Sequence, residues 1–292
     1  MKRVEIDLLK SNSVNNSYQE LYIYALIVGT GGINSEFTRQ ALQTLGTSNV
    51  KHTVILCDPD TISESNLRNQ IFLAEEVGLK KADVLAERYA EAYGVNIFSY
   101  SENYLEKVSD FTRLFDKSYM NTHEITSSVR LLPVIVAGVD NVYTRQVLNS
   151  VFEIMPNIVY IDAGNESTIV PNDWRTRPKN YWFSEELEAY NDSGWTGQVV
   201  CGVKISSSPS DYMPPLAKVY PEILETFDEI RPSELSCQAL AASDPQRTIV
   251  NKFSALAALS FWSEIIEDKK ITTHQIVYHA KERSMRGIPY MV

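Results

Sequence analysis

Cysteine is scarce in this chain: Cys57, Cys201 and Cys237 are the only three among 292 residues. An odd, widely separated set offers no disulfide framework and points to a reducing, cytoplasmic setting. No CxxC pair occurs, so a cysteine-rich structural zinc is not expected. The four histidines, His52, His123, His274 and His279, have no ligand-like spacing. Basic charge is short as well. Twenty-seven Lys and Arg against 37 Asp and Glu leave a formal net charge of −10, which argues against a general nucleic-acid binder. An acidic surface still permits one local basic pocket for a small anion. No run approaches the roughly 18 consecutive apolar residues of a membrane span. The opening Met-Lys-Arg-Val-Glu-Ile-Asp turns acidic before any secretory apolar core, so neither a leader nor a membrane association is expected. Repeats and low-complexity tracts are missing too.

What is present is an ordinary core-forming composition, 44% hydrophobic and 22% charged, enough for one large domain or two modest ones. Tyr22–Val28 is a β-branched and aliphatic run that stops at Gly29-Thr-Gly-Gly32 and restarts with helical spacing at Ile33, Phe37, Ala41 and Leu45. Strand, glycine turn and helix aim backbone N–H groups and a helix N-terminus at a phosphate. Taken alone, this turn leaves three readings open: a dinucleotide, another phosphate ligand, or a tight turn with no ligand.

Further strands are expected at His52–Cys57, Val95–Tyr100, Leu132–Gly138, Ile158–Ile161 and Gln198–Val203, with a last edge strand at Ile276–His279. Helices are expected over Ala74–Tyr93, closed by Gly94, over Asn141–Ile154, and over Pro245–Ile266 with Asp244 as its cap. Residues 102–130 give no clear pattern. Strands alternating with helices imply βαβ units, a doubly wound and mostly parallel α/β sheet, and helices on both faces, with a C-terminal extension. In such sheets ligands bind at the carboxyl ends of the strands. The polar clusters 29–35, 58–60, 138–141 and 162–165 all fall at those ends.

Asp58-Pro-Asp60 closes the second strand, where a carboxylate can accept ribose hydroxyls; the same tripeptide is also a common turn. With the downstream segments these residues acquire a pattern. Gly29-Thr-Gly-Gly-Ile-Asn-Ser35, Asp58-Pro-Asp-Thr-Ile-Ser-Glu-Ser-Asn66, Gln70, Val77-Gly78 with Lys81-Ala82, and Asp140-Asn141 with Arg145 occur in order over about residues 22–165. This set resembles the ThiF/MoeB/ubiquitin-activating-enzyme superfamily of E1-like adenylyltransferases. Asp162-Ala-Gly-Asn165 and Gly197-Gln-Val199 look like further family features.

The resemblance implies a Rossmann-like fold, ATP with Mg²⁺, and adenylylation of the C-terminal carboxylate of a ubiquitin-like or sulfur-carrier protein or peptide, by a homodimer. It implies that Gly29, Gly31 and Gly32 line the phosphates and that Asp60, beside Asp58, holds the ribose. Asn66, Arg68, Gln70 and Lys81 would contact phosphates, and Asp140, followed by Asn141, would bind Mg²⁺. Arg68, Lys81 and Asp140 would be the catalytic set, with Cys237 in Glu-Leu-Ser-Cys-Gln as a candidate thioester or persulfide acceptor; Cys57 and Cys201 read as packed. The chain departs from the pattern twice. The family arginine falls on Asn69, with Arg68 one place earlier, and Asn34 stands where a glycine is usual. Those departures keep a non-catalytic nucleotide-binding scaffold as the alternative, and a nicotinamide-dependent oxidoreductase stands behind it. Lys80 is expected to face solvent, and Arg145 to form a surface ion pair of about 0–1 kcal/mol.

The expected organisation is an N-terminal arm over 1–20, an ATP-binding core over 21–165, a partner-binding insertion over 166–196 and a C-terminal part over 197–292 packed on the same domain. The insertion holds Trp174, Trp182 and Trp195.

Overall fold

The computed structural model describes residues 2–11, 17–116, 120, 122–206, 208–226, 230–234 and 245–292. Its centre is a sheet of nine strands. Eight of them run in the order β11-β10-β7-β6-β5-β2-β3-β4, and the two-residue β8 (Tyr212–Met213) pairs with β7 off that path. They are β2 (Glu20–Val28), β3 (Lys51–Cys57), β4 (Ile97–Tyr100), β5 (Val129–Ala137), β6 (Ile158–Asn165), β7 (Thr196–Lys204), β10 (Gln275–His279) and β11 (Ser284–Ile288). From β4 to β6 the pairing is parallel; β7, β10 and β11 each join antiparallel. The doubly wound α/β sheet expected from the sequence is therefore present, with a C-terminal antiparallel extension. A separate two-stranded sheet pairs β1 (Ile6–Asp7) with β9 (Lys270–Ile271), so the residues expected as an arm are tied to the C-terminal part.

Helices cover both faces because side chains alternate along each strand. On β2, Leu21, Ile23, Ala25 and Ile27 share a core with α1 (Gly32–Thr47), α2 (Lys81–Tyr93) and α8 (Thr248–Ser263). Tyr22, Tyr24, Leu26 and Val28 face the other core, with α3 (Val108–Leu114) and α4 (Val142–Ile154). α5 (Ser184–Asp192) lies in the 166–196 segment and buries none of its residues; α6 (Leu216–Val219) and α7 (Glu222–Glu225) are single turns. By length and composition Thr248–Asp268 could cross a membrane. It packs instead as a core helix: Trp262 is fully buried, meets the Phe37 ring edge-on at 5.8 Å and donates from Nε1 to the Ala41 carbonyl at 3.2 Å.

Three elements differ from expectation for local reasons. The segment 74–93 is a short 3₁₀ turn (Ala74–Glu76), a break and then α2, because Gly78 takes φ +93°. Gly94, at φ +62°, does close α2 as expected. The last long helix starts at Thr248 with Arg247 as its cap residue, three residues after Pro245; Asp244 lies outside the described residues. The strand over Gln275–His279 is internal, since β11 forms the edge, and β11 carries no apolar alternation because it is exposed along most of its length.

Candidate functional site

Strands β2 and β5 are neighbours whose connections leave in opposite directions, so their carboxyl ends open the crevice typical of this sheet order. Gly29 ends β2 with φ +76°, a conformation that L side chains rarely adopt. Its N–H donates to the Cys57 carbonyl at 2.9 Å. Gly31 and Gly32 then open α1 for different physical reasons. A Cβ on Gly31 would meet none of the described residues within 4 Å, so among them this residue borders open space at the helix N-terminus. A Cβ on Gly32 would lie 2.3 Å from Nδ2 of Asn251 on α8, so this glycine is required by helix packing.

The turn is held from β3. Asp58 is buried; its Oδ2 accepts from the Thr30 N–H at 2.6 Å and the Thr30 hydroxyl at 2.8 Å, and its Oδ1 accepts from the Asp60 N–H at 2.9 Å. Burial raises its pKa, with Lys81 opposing and Asp60 adding to the rise. Asp58 thus ties the glycine turn to the Asp60 turn. Lys80 is half-buried, and its ammonium donates to the Pro59 carbonyl rather than facing solvent.

Asp60 sits at the mouth of the crevice with both oxygens engaged. Oδ2 accepts from buried Lys81 Nζ at 3.0 Å, and Oδ1 accepts the Tyr104 hydroxyl. Burial opposes ionisation of Asp60, but Lys81, the Tyr104 hydroxyl and Lys80 together hold its pKa below the usual value. Lys81 is the first residue of α2, and its own N–H donates to the Asp60 carbonyl at 3.0 Å. Backbone and side chain therefore place this carboxylate–ammonium pair together. Tyr104, whose pKa burial and the bond to Asp60 raise, carries no motif signal in the sequence.

Asp140 follows β5, is exposed, and lies near enough to Tyr104 and Arg145 to bias both electrostatically. Asn141 caps α4, its Oδ1 accepting from the Thr144 N–H at 2.8 Å. Arg145 is largely buried. It pairs through Nε with Oδ1 of fully buried Asp162 at 3.2 Å, and donates to the Ala163 carbonyl at 3.4 Å. Tyr160 donates its hydroxyl to the other Asp162 oxygen. Burial pushes the Asp162 carboxyl up, against Arg145 and Tyr160. The surface pair expected for Arg145 is a buried network.

The 3₁₀ segment Glu64–Arg68 crosses beside the turn. Asn66 Oδ1 accepts from the Ser63 N–H at 2.9 Å. Arg68 is exposed and, among the described residues, makes no ion pair. The carbonyl of Asn69 lies 3.6 Å from the Gly32 Cβ position, and Gln70 has a buried Oε1 that finds no partner among the described residues. Cys57 and Cys201 are buried, with thiols pushed up by burial; Cys237 lies outside the described residues. Among the described residues no cluster of three or more His, Cys, Asp or Glu could hold a metal by itself.

Asn34 is fully buried in the first turn of α1. Its Nδ2 donates to the Val28 carbonyl at 2.9 Å and the Val136 carbonyl at 3.3 Å, stapling the ends of β2 and β5. The usual small residue there lets helix and strand approach closely. Here the room comes from Gly138, where a Cβ would lie 2.8 Å from the Asn34 Cγ. Gly138→Ala alone is expected to cost about 1–3 kcal/mol of stability by overpacking. Asn34→Gly on the same chain should recover most of that loss. Denaturant unfolding of the two single variants and the double variant measures the coupling, and additive losses would show that the two side chains do not compete for this space.

A model of the ThiF family matches residues 19–180. Among solved structures, E. coli MccB with AMPCPP and MccA is 15% identical with a TM-score of 0.52, covering 91% of this chain and 63% of that one. E. coli MccB with ATP is 16% identical with a TM-score of 0.52 over 91% and 63% of the two chains. PaaA is 13% identical with a TM-score of 0.52 over 93% and 64%. The chain thus spans a little under two thirds of those chains' length. No curated protein matches it by sequence.

Proposed function

The chain belongs to the ThiF family, and from that premise we propose that it binds ATP and adenylylates the C-terminal carboxylate of a peptide or small carrier protein. The observation that carries the reading is the space left open by the described residues at Gly31, at the N-terminus of α1, in a turn that Asp58 ties to the Asp60–Lys81 pair. A glycine turn of this kind offers backbone N–H groups and the positive end of a helix dipole to phosphates. The fold likeness to MccB, solved with ATP and with MccA, supports the same reading.

In this reaction a carboxylate oxygen attacks the α-phosphorus, the bond to the bridging oxygen breaks, pyrophosphate leaves and an acyl-adenylate forms. The N–H groups of Gly31 and Gly32, where α1 begins, hold the phosphates, and Asp60 receives the ribose. Lys81 lies where it can turn from Asp60 toward the phosphates and meet the charge that develops there. Asp140, exposed beside the crevice, has the chemistry for Mg²⁺, which typically takes one or two carboxylates with substrate phosphates. Bound there, the ion would neutralise phosphate charge. The 166–196 segment, with Tyr181 67% and Phe183 68% exposed, is the proposed partner surface. Pairing as a homodimer belongs to the same proposal.

The two glycines test the site. Gly31→Ala is expected to melt like wild type but bind ATP about tenfold more weakly, because its methyl group occupies ligand space. Gly32→Ala should lower the melting temperature through the Asn251 clash. Titration of ATP with thermal melts measures both, and equal ATP affinity in wild type and Gly31→Ala would remove the turn from the site. The exposure of Arg68 favours one second reading, a scaffold that binds ATP without turnover. That reading predicts no pyrophosphate with any acyl substrate.

A further inference from the structure

Among the described residues, the Asp60 carboxylate accepts from two side chains, one at each oxygen. Oδ2 accepts from Lys81 Nζ at 3.0 Å, and Oδ1 accepts from the Tyr104 hydroxyl. A carboxylate offers about four lone-pair positions, two on each oxygen, so one remains on each. Those positions are open to a ligand: the Asp60 side chain is 35% exposed, against 7% for that of Lys81. One free acceptor on each of two neighbouring oxygens matches two neighbouring hydroxyls, the cis-diol of a ribose.

Tyr104 does not reach Asp60 from a loose end of chain. The next residue, Leu105, is buried. Glu106 accepts through its two carboxylate oxygens from the Ser233 N–H at 2.7 Å and the Ser233 hydroxyl at 2.9 Å, and its carbonyl accepts from the Tyr143 hydroxyl at 3.2 Å. Tyr143 stands in the first turn of α4, and Ser233 in the 3₁₀ turn Pro232–Glu234. The segment that carries Tyr104 is thus pinned from two other parts of the fold.

We propose that Tyr104 is a positioning residue for sugar selection: its hydroxyl, with Lys81, holds the Asp60 carboxylate so that one acceptor on each oxygen meets the 2′ and 3′ hydroxyls of ATP. The inference rests on the ATP reading above and adds the residue that sets a preference for ribose over deoxyribose. Tyr104 acts through Asp60 and touches no reacting atom. A carboxylate held at one oxygen only can swing, and the ligand must then order it on binding, which weakens affinity.

Full-length protein, wild type and Tyr104→Phe, is titrated with ATP and with 2′-deoxy-ATP, which keeps the base and triphosphate but lacks one hydroxyl of the pair. Wild type is expected to bind 2′-deoxy-ATP about tenfold more weakly than ATP. Tyr104→Phe should lose about fivefold for ATP and little for 2′-deoxy-ATP, so the discrimination narrows to about threefold. On an Asp60→Ala background the same substitution should add nothing, because the carboxylate it positions is gone. Equal losses for the two nucleotides, or a further loss on that background, would overturn the proposal in favour of a structural role. Unchanged or tighter ATP binding in Tyr104→Phe would also overturn it, by showing that the phenol only occupies an oxygen the sugar then claims. Wild type that binds ATP and 2′-deoxy-ATP equally would overturn it and leave the ATP reading standing. Wild type that binds neither would overturn the ATP reading, and this proposal with it.

Discussion

Arg145→Met is expected to destabilise the protein by about 3–5 kcal/mol, a large share of the total for a domain of ordinary stability. The methionine retains much of the apolar volume of the stem, so the loss is mainly electrostatic. Asp162 is fully buried, and its partners are the Arg145 guanidinium at 3.2 Å and the Tyr160 hydroxyl. Without Arg145 the carboxylate is stranded in a low-dielectric interior and must either stay charged at high cost or take up a proton. Its pKa is already raised by burial, and losing Arg145 raises it further. The sign follows: a raised folded-state pKa means that the variant binds a proton more readily folded than unfolded, so its deficit is largest at neutral pH and shrinks as pH falls. Asp162→Asn on the Arg145→Met background should recover part of the loss, because the neutral amide still accepts from Tyr160. Urea unfolding of the three variants at two pH values checks this, and a double variant no more stable than Arg145→Met would refute the stranded-charge explanation.

Lys81→Met carries the largest expected effect on activity. A preorganised cation facing charge that develops in the transition state is worth about 10²–10³ in rate. Its removal should lower pyrophosphate release by that factor and ATP affinity by about tenfold or more. Lys81 also sustains Asp60. With the ammonium at 3.0 Å the Asp60 pKa is held below the usual value, so the pair's stabilisation is present above the ordinary carboxylate range and lost as pH falls through the lowered pKa. In Lys81→Met the Asp60 pKa is expected to rise, and on the proposed role of Asp60 the acid loss of ribose recognition moves to higher pH. Adenosine binding followed against pH detects that shift even where turnover is too slow to measure. An unshifted profile would show that Lys81 does not act on Asp60.

The positions of these residues were legible in the sequence to the extent that they follow strands. Runs such as Leu21–Val28 and Leu132–Ala137 are buried on both faces, and each stops at a polar cluster, so the parallel core and its carboxyl-end crevice could be anticipated. Asn34 could be flagged as unusual but not interpreted, because its role depends on Gly138, which only the parallel pairing of β2 with β5 brings beside it. Tyr104 and the packing of Asn251 on Gly32 were missed for the same reason. Each contact is made by topology alone, from 44 residues beyond Asp60 in one case and from the C-terminal helix in the other. Asn251 did leave a trace, as an amide on the buried stripe of Val250, Ala255, Ala258 and Phe261. A buried amide needs partners, and that requirement could have singled it out. The break before α2 was hidden because Val77, Leu85 and Tyr89 fit a continuous apolar rhythm, whereas Gly78 ends it through backbone conformation.

The account turns on whether this crevice cleaves ATP between its α and β phosphates when offered a carboxylate. The most direct measurement is product analysis of ATP incubated with the full chain, Mg²⁺ and a mixed pool of peptides bearing free C-termini, beside the same pool amidated. The predicted result is pyrophosphate and an acyl-adenylate, or its hydrolysis product AMP, with the free-carboxyl pool, and neither with the amidated pool or with Lys81→Met. Formation of ADP and phosphate, or pyrophosphate release indifferent to amidation, would contradict the account.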